Sequence, residues 1–285
     1  MAFYTPLRYP GGKGKLAYYL KGLIKHNALL DCHYIEPFAG GAGVALELLM
    51  QEYVRKITIN DIDPAIYAFW YSVLNHTEEL CDKINSISVS IETWNEQKLI
   101  LASDKHKNIL ELGFSAFFLN RTNRSGILNA GVIGGKSQSG KWTLDVRFNK
   151  KDLIDRIKKI ARYKDRIIIK NEDTLDLLIN LSLKEHSHYL MYLDPPYYVK
   201  GQGLYRNFYE HKDHIDIRNQ LGRMPELHWI ATYDNAPEIK EMYESQMIVE
   251  FDLQYTAQSK RIGSEVMIYS DNIKVPNLIL GKKVA

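Results

Sequence analysis

The chain has 285 residues, 45% of them hydrophobic and 25% charged, with a net charge of +3 and two cysteines, Cys32 and Cys81. That length suits one large domain or one domain with an insertion. The sparse cysteines argue against a cysteine zinc site and fit a reducing compartment, where both are expected as ordinary buried thiols. No apolar run approaches the ~20 residues of a membrane span, and Met1 to Pro6 lacks the apolar stretch of a signal peptide. A soluble cytoplasmic protein without metal or membrane partner is expected.

Taken in chain order, the first notable run is Leu7-Arg8-Tyr9-Pro10-Gly11-Gly12-Lys13-Gly14-Lys15. It is not a Walker P-loop, because Gly14 and Leu16 stand where Ser or Thr should follow Gly-Lys and no strand precedes it. A nest of its glycine amides with Lys13 would hold a carboxylate equally well, such as the amino-acid end of S-adenosylmethionine. A helix over Lys15–Leu29 and a strand over His33–Glu36 follow. Next comes the glycine-rich turn Glu36-Pro37-Phe38-Ala39-Gly40-Gly41-Ala42-Gly43, opening a helix over Val44–Glu52. Glycines there let the backbone approach a ligand. The loop does not supply the dinucleotide spacing Gly-x-Gly-x-x-Gly, and the carboxylate of Glu36 suits an amine-bearing or cationic ligand better than a pyrophosphate.

The second strand, Ile57–Asn60, ends in Asp61-Ile62-Asp63-Pro64. Asp61 lies about 20 positions beyond the glycines, where ribose hydroxyls are held; Asp63 reads as the cap of the helix Pro64–Leu74. From about Tyr71 to Tyr163 the alternation of strands and helices breaks. This interval holds helical stretches and a Gly/Ser/Asn-rich loop, Asn123 to Gly140. Between Lys105 and Lys170 there are 16 Lys+Arg against 5 Asp+Glu, a net of +11, so the rest of the chain sums to −8. That asymmetry is the footprint of a polyanion-binding segment. Lys150 to Arg166 reads as an amphipathic helix whose basic face can be explained by solvation alone; the irregular half, Asn120 to Arg147, is the candidate nucleic-acid contact. Phe114, Phe117 and Phe118 follow helical spacing and are expected in the core.

The strand Arg166–Lys170 then ends in Asn171-Glu172-Asp173. Asp173 is read either as an acceptor for the adenine amine of a bound nucleoside or as the cap of the helix Thr174–Leu181. The fourth strand, Tyr189–Leu193, delivers Asp194-Pro195-Pro196-Tyr197 at its carboxyl end, where open α/β sheets bind ligands. The tetrapeptide by itself is equally a tight strand-end turn. Its chemistry is specific, however. The two prolines fix φ and remove donors, so Asp194 and the Pro195 carbonyl can accept both hydrogens of a nucleobase amine while Tyr197 stacks on the base. The helices Lys212–Leu221 and Pro237–Tyr243 and the strands His228–Thr232, Met247–Phe251 and Glu265–Ser270 complete the chain, the last two strands as an antiparallel pair. Alternating strands and helices predict an α/β sheet, mostly parallel.

With Tyr9-Pro-Gly-Gly-Lys13, Glu36-Pro-Phe-Ala-Gly40, Asn60-Asp-Ile-Asp63, Phe118-Leu-Asn-Arg-Thr122, Glu172-Asp173 and Asp194-Pro-Pro-Tyr197 in this order, the chain resembles the Dam-type (D12 class, α-group) DNA adenine-N6 methyltransferases over nearly its whole length. The resemblance implies a class I S-adenosylmethionine-dependent methyltransferase fold with a Rossmann-like seven-stranded sheet. It places a catalytic domain at 1–70 and 164–285, with a mainly helical target-recognition insertion at 71–163. By position, Tyr9, Gly11, Gly12 and Lys13 would run along the methionine part of S-adenosylmethionine, and Glu36, Phe38, Gly40 and Gly41 would line its pocket. Asp61 would hold the ribose, Ile62 pack on the adenine ring and Asp173 bind its amine. Asp194, Pro195, Pro196 and Tyr197 would be catalytic. Two departures stand out: Ala42 replaces a third close glycine, and the insertion past Ser125 does not follow the GATC-reading version.

The partner so implied is double-stranded DNA, whose target base must be flipped out to expose N6. Candidate DNA contacts are Asn120, Arg121, Asn123, Arg124, Lys136, Lys141, Trp142 and Arg147. Asn120 and Arg121 are read equally as anchors of the loop. Trp142 is read as a packed hinge residue, with stacking or wedging at the opened site as its other role. A cysteine nucleophile after proline is absent, which excludes cytosine-C5 methylation. Cytosine-N4 or RNA adenine methylation and an inactive DNA-binding regulator are the alternatives; Asp194, where cytosine-N4 enzymes more often carry Ser, favours adenine. The sequence leaves open the recognition site, the oligomeric state and whether a cognate restriction endonuclease accompanies the protein as part of a restriction-modification pair.

Overall fold

All seven expected strands form. The computed structural model describes residues 4–8, 16–103, 108–181, 188–198, 209–255 and 261–278. Its strands are β1 (Cys32–Glu36), β2 (Val54–Asn60), β3 (Ile167–Lys170), β4 (Tyr189–Leu193), β5 (His228–Asp234), β6 (Met247–Tyr255) and β7 (Arg261–Tyr269). The helices are α1 (Ala17–His26), α2 (Gly43–Met50), α3 (Pro64–Asn75), α4 (Thr77–Ser86), α5 (Ile91–Ala102), α6 (Ile109–Thr122), α7 (Lys150–Ala161), α8 (Thr174–Leu181), α9 (His211–Gly222) and α10 (Pro237–Met242).

The strand order is β3-β2-β1-β4-β5-β7-β6. Neighbours from β3 through β5 are parallel, and β7 runs antiparallel to both β5 and β6. The final pair is longer than expected because backbone pairing continues past the apolar residues, from Met247↔Tyr269 to Tyr255↔Arg261. Chain direction across the sheet reverses between β1 and β4, since β2 and β3 build outward from one and β5 from the other. At such a switch point the connections diverge and leave a crevice outside the strands' carboxyl ends.

Strand side chains alternate between faces, and the register sorts this sheet sharply. Ile35, Met191, Leu193, Trp229, Ala231, Tyr233, Val266 and Ile268 share one face, in a core cluster with Leu177 and Leu178 of α8, Ile217 and Leu221 of α9, and Ile239 of α10. The residues interleaved with them point to the other face, and toward the carboxyl edge they are polar: Tyr34 and Glu36 on β1, Tyr192 on β4, Thr232 on β5 and Glu265 on β7.

The chain divides into two compact units, one comprising residues 13–62 and 166–285, which holds the sheet, and one comprising 1–12 and 63–165. The border expected at residue 71 therefore falls inside α3. That helix starts at the unit's edge, with Asp63 capping Ala65 N at 2.9 Å and Pro64 at its first position. It belongs with the helical unit because it packs on α6: Phe69 stacks on Phe117 with ring centroids 5.6 Å apart, and a Cβ on Gly113 would lie 2.4 Å from the Ala68 carbonyl oxygen. Only glycine allows the two backbones so close. Phe114, Phe117 and Phe118 are buried as expected, and Phe148 packs against the last two. Truncating a ring in such a cluster costs about 3–5 kcal/mol. No helix among the described residues is long and apolar enough to cross a membrane.

Candidate active site

At the switch point β4 ends in Asp194, and the strand beside it supplies its partner. Thr232 Oγ1 donates to Asp194 Oδ1 at 3.1 Å, and the buried Tyr192 hydroxyl lies 2.9 Å from the same Oγ1. The following residues are tied to the sheet as well. The Tyr197 hydroxyl donates to Glu265 Oε1 at 3.2 Å, and the Tyr198 amide donates to Asp234 Oδ1 at 2.8 Å. Pro195 is buried, while Asp194, Pro196 and Tyr197 are partly exposed. The Asp-Pro-Pro-Tyr segment is thus more than a strand-end turn. Its carboxylate, its tyrosine hydroxyl and the amide of the residue that follows it are each held by a side chain from β5 or β7. None of these supporting residues is among those expected from the sequence, although polar tips in otherwise apolar strands, at Tyr192, Thr232 and Glu265, are a usable signal.

Across the switch point, Glu36 is 5% exposed. Its Oε1 accepts from the Tyr34 hydroxyl at 3.0 Å and from the Ala45 amide at 3.1 Å, so a carboxyl from β1 caps the first turn of α2. Burial pushes this carboxyl up to about 8; the two hydrogen bonds oppose that rise and the charge of Asp194 adds to it. A cationic ligand would favour the ionised form. The turn between them bends through left-handed conformations, Gly40 at φ 45° and Ala42 at φ 47°. Ala42 stands in place of the third close glycine, and its Cβ makes that conformation cost about 1 kcal/mol more than glycine would.

The acidic loops after β2 and β3 converge on the same edge. Asp61 Oδ2 accepts from the Gly40 amide at 2.9 Å, and Asn171 Nδ2 donates to the Asp61 and Ile62 carbonyls at 2.7 and 3.1 Å. Ile62 is 39% exposed, an apolar surface beside the glycine turn's own anchor. Asp173 takes the capping alternative, its Oδ1 accepting from Leu175 N at the start of α8 at 2.8 Å, and its Oδ2 accepts from the Tyr209 hydroxyl at 3.4 Å. Phe38 meets Tyr209 edge-on, with centroids 5.5 Å apart. Gly41 lies in the turn that opens α2. Tyr9, Gly11, Gly12 and Lys13 lie outside the described residues.

In the helical unit the expected contacts divide in two. Asn120 and Asn123 are fully buried, which corrects the assignment of Asn123 as a DNA contact and leaves Asn120 in the anchoring one of its two readings. Asn120 accepts from Arg8 N and donates to the Arg8 and Gly126 carbonyls, and Asn123 accepts from Trp94 Nε1 and donates to the Ile127 and Leu128 carbonyls. Both amides shape the loop from within. Gly126, at φ +78°, lies against the Arg8 carbonyl where any Cβ would collide. Arg121 is likewise an anchor. Its guanidinium donates to the Arg147 and Pro6 carbonyls, and burial, with Arg8 and Arg156 adding repulsion, lowers it to about 10. Trp142 is 59% exposed with Lys141 5.4 Å from its ring centre, so the packed-hinge expectation fails. Arg124, Lys136, Lys141 and Arg147 are exposed and face no acidic partner among the described residues.

Both cysteines are buried free thiols, Cys32 pushed up to about 12 and Cys81 to about 11 by burial.

A doubly wound sheet whose seventh strand is reversed and slotted between the fifth and sixth is the arrangement of the class I S-adenosylmethionine-dependent methyltransferases. Residues 9–257 match the model of the D12 class N6 adenine-specific DNA methyltransferases, and the chain belongs to that family. It is an adenine-specific DNA methyltransferase that uses S-adenosylmethionine as methyl donor. No curated protein matches it. Among solved structures it is similar to a candidate RNA methyltransferase of Pyrococcus horikoshii (9% identity, 93% of this chain and 86% of that one, TM-score 0.41). Others are a SAM-dependent methyltransferase of Agrobacterium tumefaciens (10%, 91% and 62%, 0.42) and the rRNA methyltransferase aviRa of Streptomyces viridochromogenes (12%, 89% and 84%, 0.34). These scores are too low to bear on substrate, which is read from the chain's own family and site.

Proposed function

We propose that the enzyme methylates N6 of an adenine flipped out of duplex DNA, with Asp194 and the Pro195 carbonyl accepting the two amine hydrogens. The observation that carries this reading is the buttressed Asp194 at the carboxyl end of β4, beside the glycine turn at the sheet's switch point. The adenine N6 lone pair is delocalised into the ring. Two acceptors, one charged and one a backbone carbonyl held by prolines, draw it out toward the incoming methyl group, and Tyr197 offsets part of the unstacking cost of a few kcal/mol by stacking on the base. S-adenosylmethionine, when bound, supplies a methyl group on a positively charged sulfur. As N6 gains that methyl it loses one proton, which Asp194 takes; most of the rate comes from positioning and polarisation.

Asp61 would hold the donor's ribose, Ile62 pack on its adenine and Asp173 reach its amine, while Phe38 and the Gly40–Gly41 turn close the pocket. The raised carboxyl of Glu36 supports this fit, because a ligand carrying ammonium and sulfonium charges stabilises the carboxylate that burial disfavours. Arg124, Lys136, Lys141 and Arg147 would meet DNA, arginines reading guanine edges and lysines phosphates. Trp142, exposed on the same loop, would stack at the opened site.

Asp194→Ala tests the central assignment. Methyl transfer to duplex DNA should fall by at least about a hundredfold, the loss typical of removing a key transition-state acceptor, while S-adenosylhomocysteine and DNA still bind in direct titrations. Retained transfer would remove Asp194 from the mechanism.

A further inference from the structure

The Asp194 carboxylate does not stand alone at the end of β4. We infer that Thr232, backed by Tyr192, is a positioning residue for methyl transfer: a two-link hydroxyl relay that sets the plane of the Asp194 carboxylate from the neighbouring strand. The inference rests on the proposed role of Asp194 and extends it to two buried side chains, Thr232 and Tyr192.

The geometry follows from register. β4 pairs with β5 in parallel, Tyr192 with Ile230 and Leu193 with Ala231, so the next step sets Asp194 beside Thr232, both on the polar face. Thr232 is fully buried and Tyr192 nearly so. The direction of the relay follows from proton count. Thr232 has one hydroxyl hydrogen, and it goes to Asp194 Oδ1. The 2.9 Å contact with Tyr192 must then be filled by the tyrosine hydroxyl donating to Thr232 Oγ1. Burial, and next the charge of Asp194, push the Tyr192 phenol well above its ordinary value, so it keeps the proton the relay needs.

A hydroxyl already polarised by a second donor is a stronger donor itself, and its bond to a charged carboxylate is among the stronger kinds. The relay therefore holds one oxygen of Asp194 in a set direction before any base arrives. Such a hold matters because an acceptor aimed wrongly by even an ångström loses much of its effect on the transition state. Threonine suits the place: its branched Cβ has few rotamers, and its methyl group fills space in a strand while the hydroxyl is aimed.

Kinetics of substitutions that preserve shape test the relay. Thr232→Val keeps the volume and removes the hydroxyl; kcat should fall roughly tenfold to a hundredfold, the rate equivalent of one hydrogen bond to a charged group. The KM values for DNA and donor and S-adenosylhomocysteine affinity should stay near wild type, with the melting temperature lowered by a few degrees for the lost buried hydrogen bonds. Thr232→Ser should recover most of the lost kcat. Tyr192→Phe should cost less, and the double variant Tyr192→Phe/Thr232→Val should be no slower than Thr232→Val, because the tyrosine acts only through the threonine. Wild-type kcat in Thr232→Val, additive losses in the double variant, or failure of Thr232→Ser to recover activity would each overturn the relay. Asp194→Ala, assayed in parallel, separates the two levels. An inactive Asp194→Ala beside a fully active Thr232→Val removes the relay alone, whereas an active Asp194→Ala removes the reading on which it rests.

Discussion

The sheet edge and the basic loop of the helical unit handle polar groups in opposite ways. At the edge, Asp194, Tyr197, Glu36 and Asp61 each have a hydrogen-bonding partner within the protein. In the loop Asn120, Arg121, Asn123 and Gln138 bind backbone groups, while Lys136, Lys141 and Arg147 are exposed without acidic partners among the described residues. The contrast fits two tasks. Transition-state stabilisation needs acceptors aimed in advance, whereas binding a polyanion needs a shaped scaffold bearing charges that the partner itself neutralises.

Removing the loop's outward charges should break the contrast most visibly. The triple variant Lys136→Ala/Lys141→Ala/Arg147→Ala should weaken DNA binding by one to several orders of magnitude. It should also reduce the slope of log affinity against log salt by about 0.9 for each phosphate no longer neutralised, with S-adenosylhomocysteine binding unchanged. Lys158→Ala is the control. Lys158 carries the same charge but lies on α7 paired with Glu78 at 2.9 Å, so its removal should leave the salt slope in place. A triple variant with wild-type binding would move the DNA interface elsewhere. Affinities measured from about 50 to 200 mM salt decide.

A smaller effect sharpens the edge's side of the comparison. His214 on α9 is almost completely buried among Tyr198, Tyr209 and Tyr233, at centroid distances of 5.5, 5.7 and 5.5 Å, and neither ring nitrogen has a hydrogen-bond partner among the described residues. Burial lowers it to about 4, with Asp213 and Asp234 opposing the shift and His211 adding to it. The folded imidazole therefore stays neutral where the unfolded one takes a proton. Stability from this group is present above about pH 6.5 and is lost as pH falls toward 4, by up to roughly 3 kcal/mol. Glu36 slopes the other way, its raised carboxyl losing stability as pH rises from 4.5 through about 8. The two are separated by comparing wild type with His214→Phe: denaturant midpoints should diverge between pH 6.5 and 4 in favour of the variant. Parallel curves would show that His214 does not titrate as its burial implies.

The smallest effect is local. Ala42→Gly should raise stability or leave it unchanged, gaining about 1 kcal/mol from relieved left-handed strain less the entropy glycine adds to the unfolded chain. A clear drop in melting temperature would mean that the methyl group packs usefully in the turn.

Much of this is legible in the sequence. The strands are visible because buried runs such as Tyr189–Leu193 are short, apolar and bounded by turn formers, and the edge motifs are visible because their residues are contiguous. The supporting residues are hidden for a physical reason: Thr232 and Glu265 become neighbours of Asp194 and Tyr197 only through strand register, which composition and spacing do not encode. The helical border is displaced because α3 carries apolar residues for packing on α6, which a strand-and-helix count assigns to the sheet. Asn123 and Trp142 are misplaced for a related reason. Polar residues in a basic loop look exposed until the loop's interior needs its backbone satisfied, and a tryptophan looks buried until its surroundings are known.

Whether the edge built around Asp194 methylates adenine N6 in duplex DNA is decided by nucleoside analysis of duplex DNA incubated with the enzyme and S-adenosylmethionine, with single-stranded DNA and RNA alongside. N6-methyladenine should appear in the duplex, be absent with Asp194→Ala and come without N4-methylcytosine. N4-methylcytosine as the product, or methylation confined to RNA, would refute the assignment.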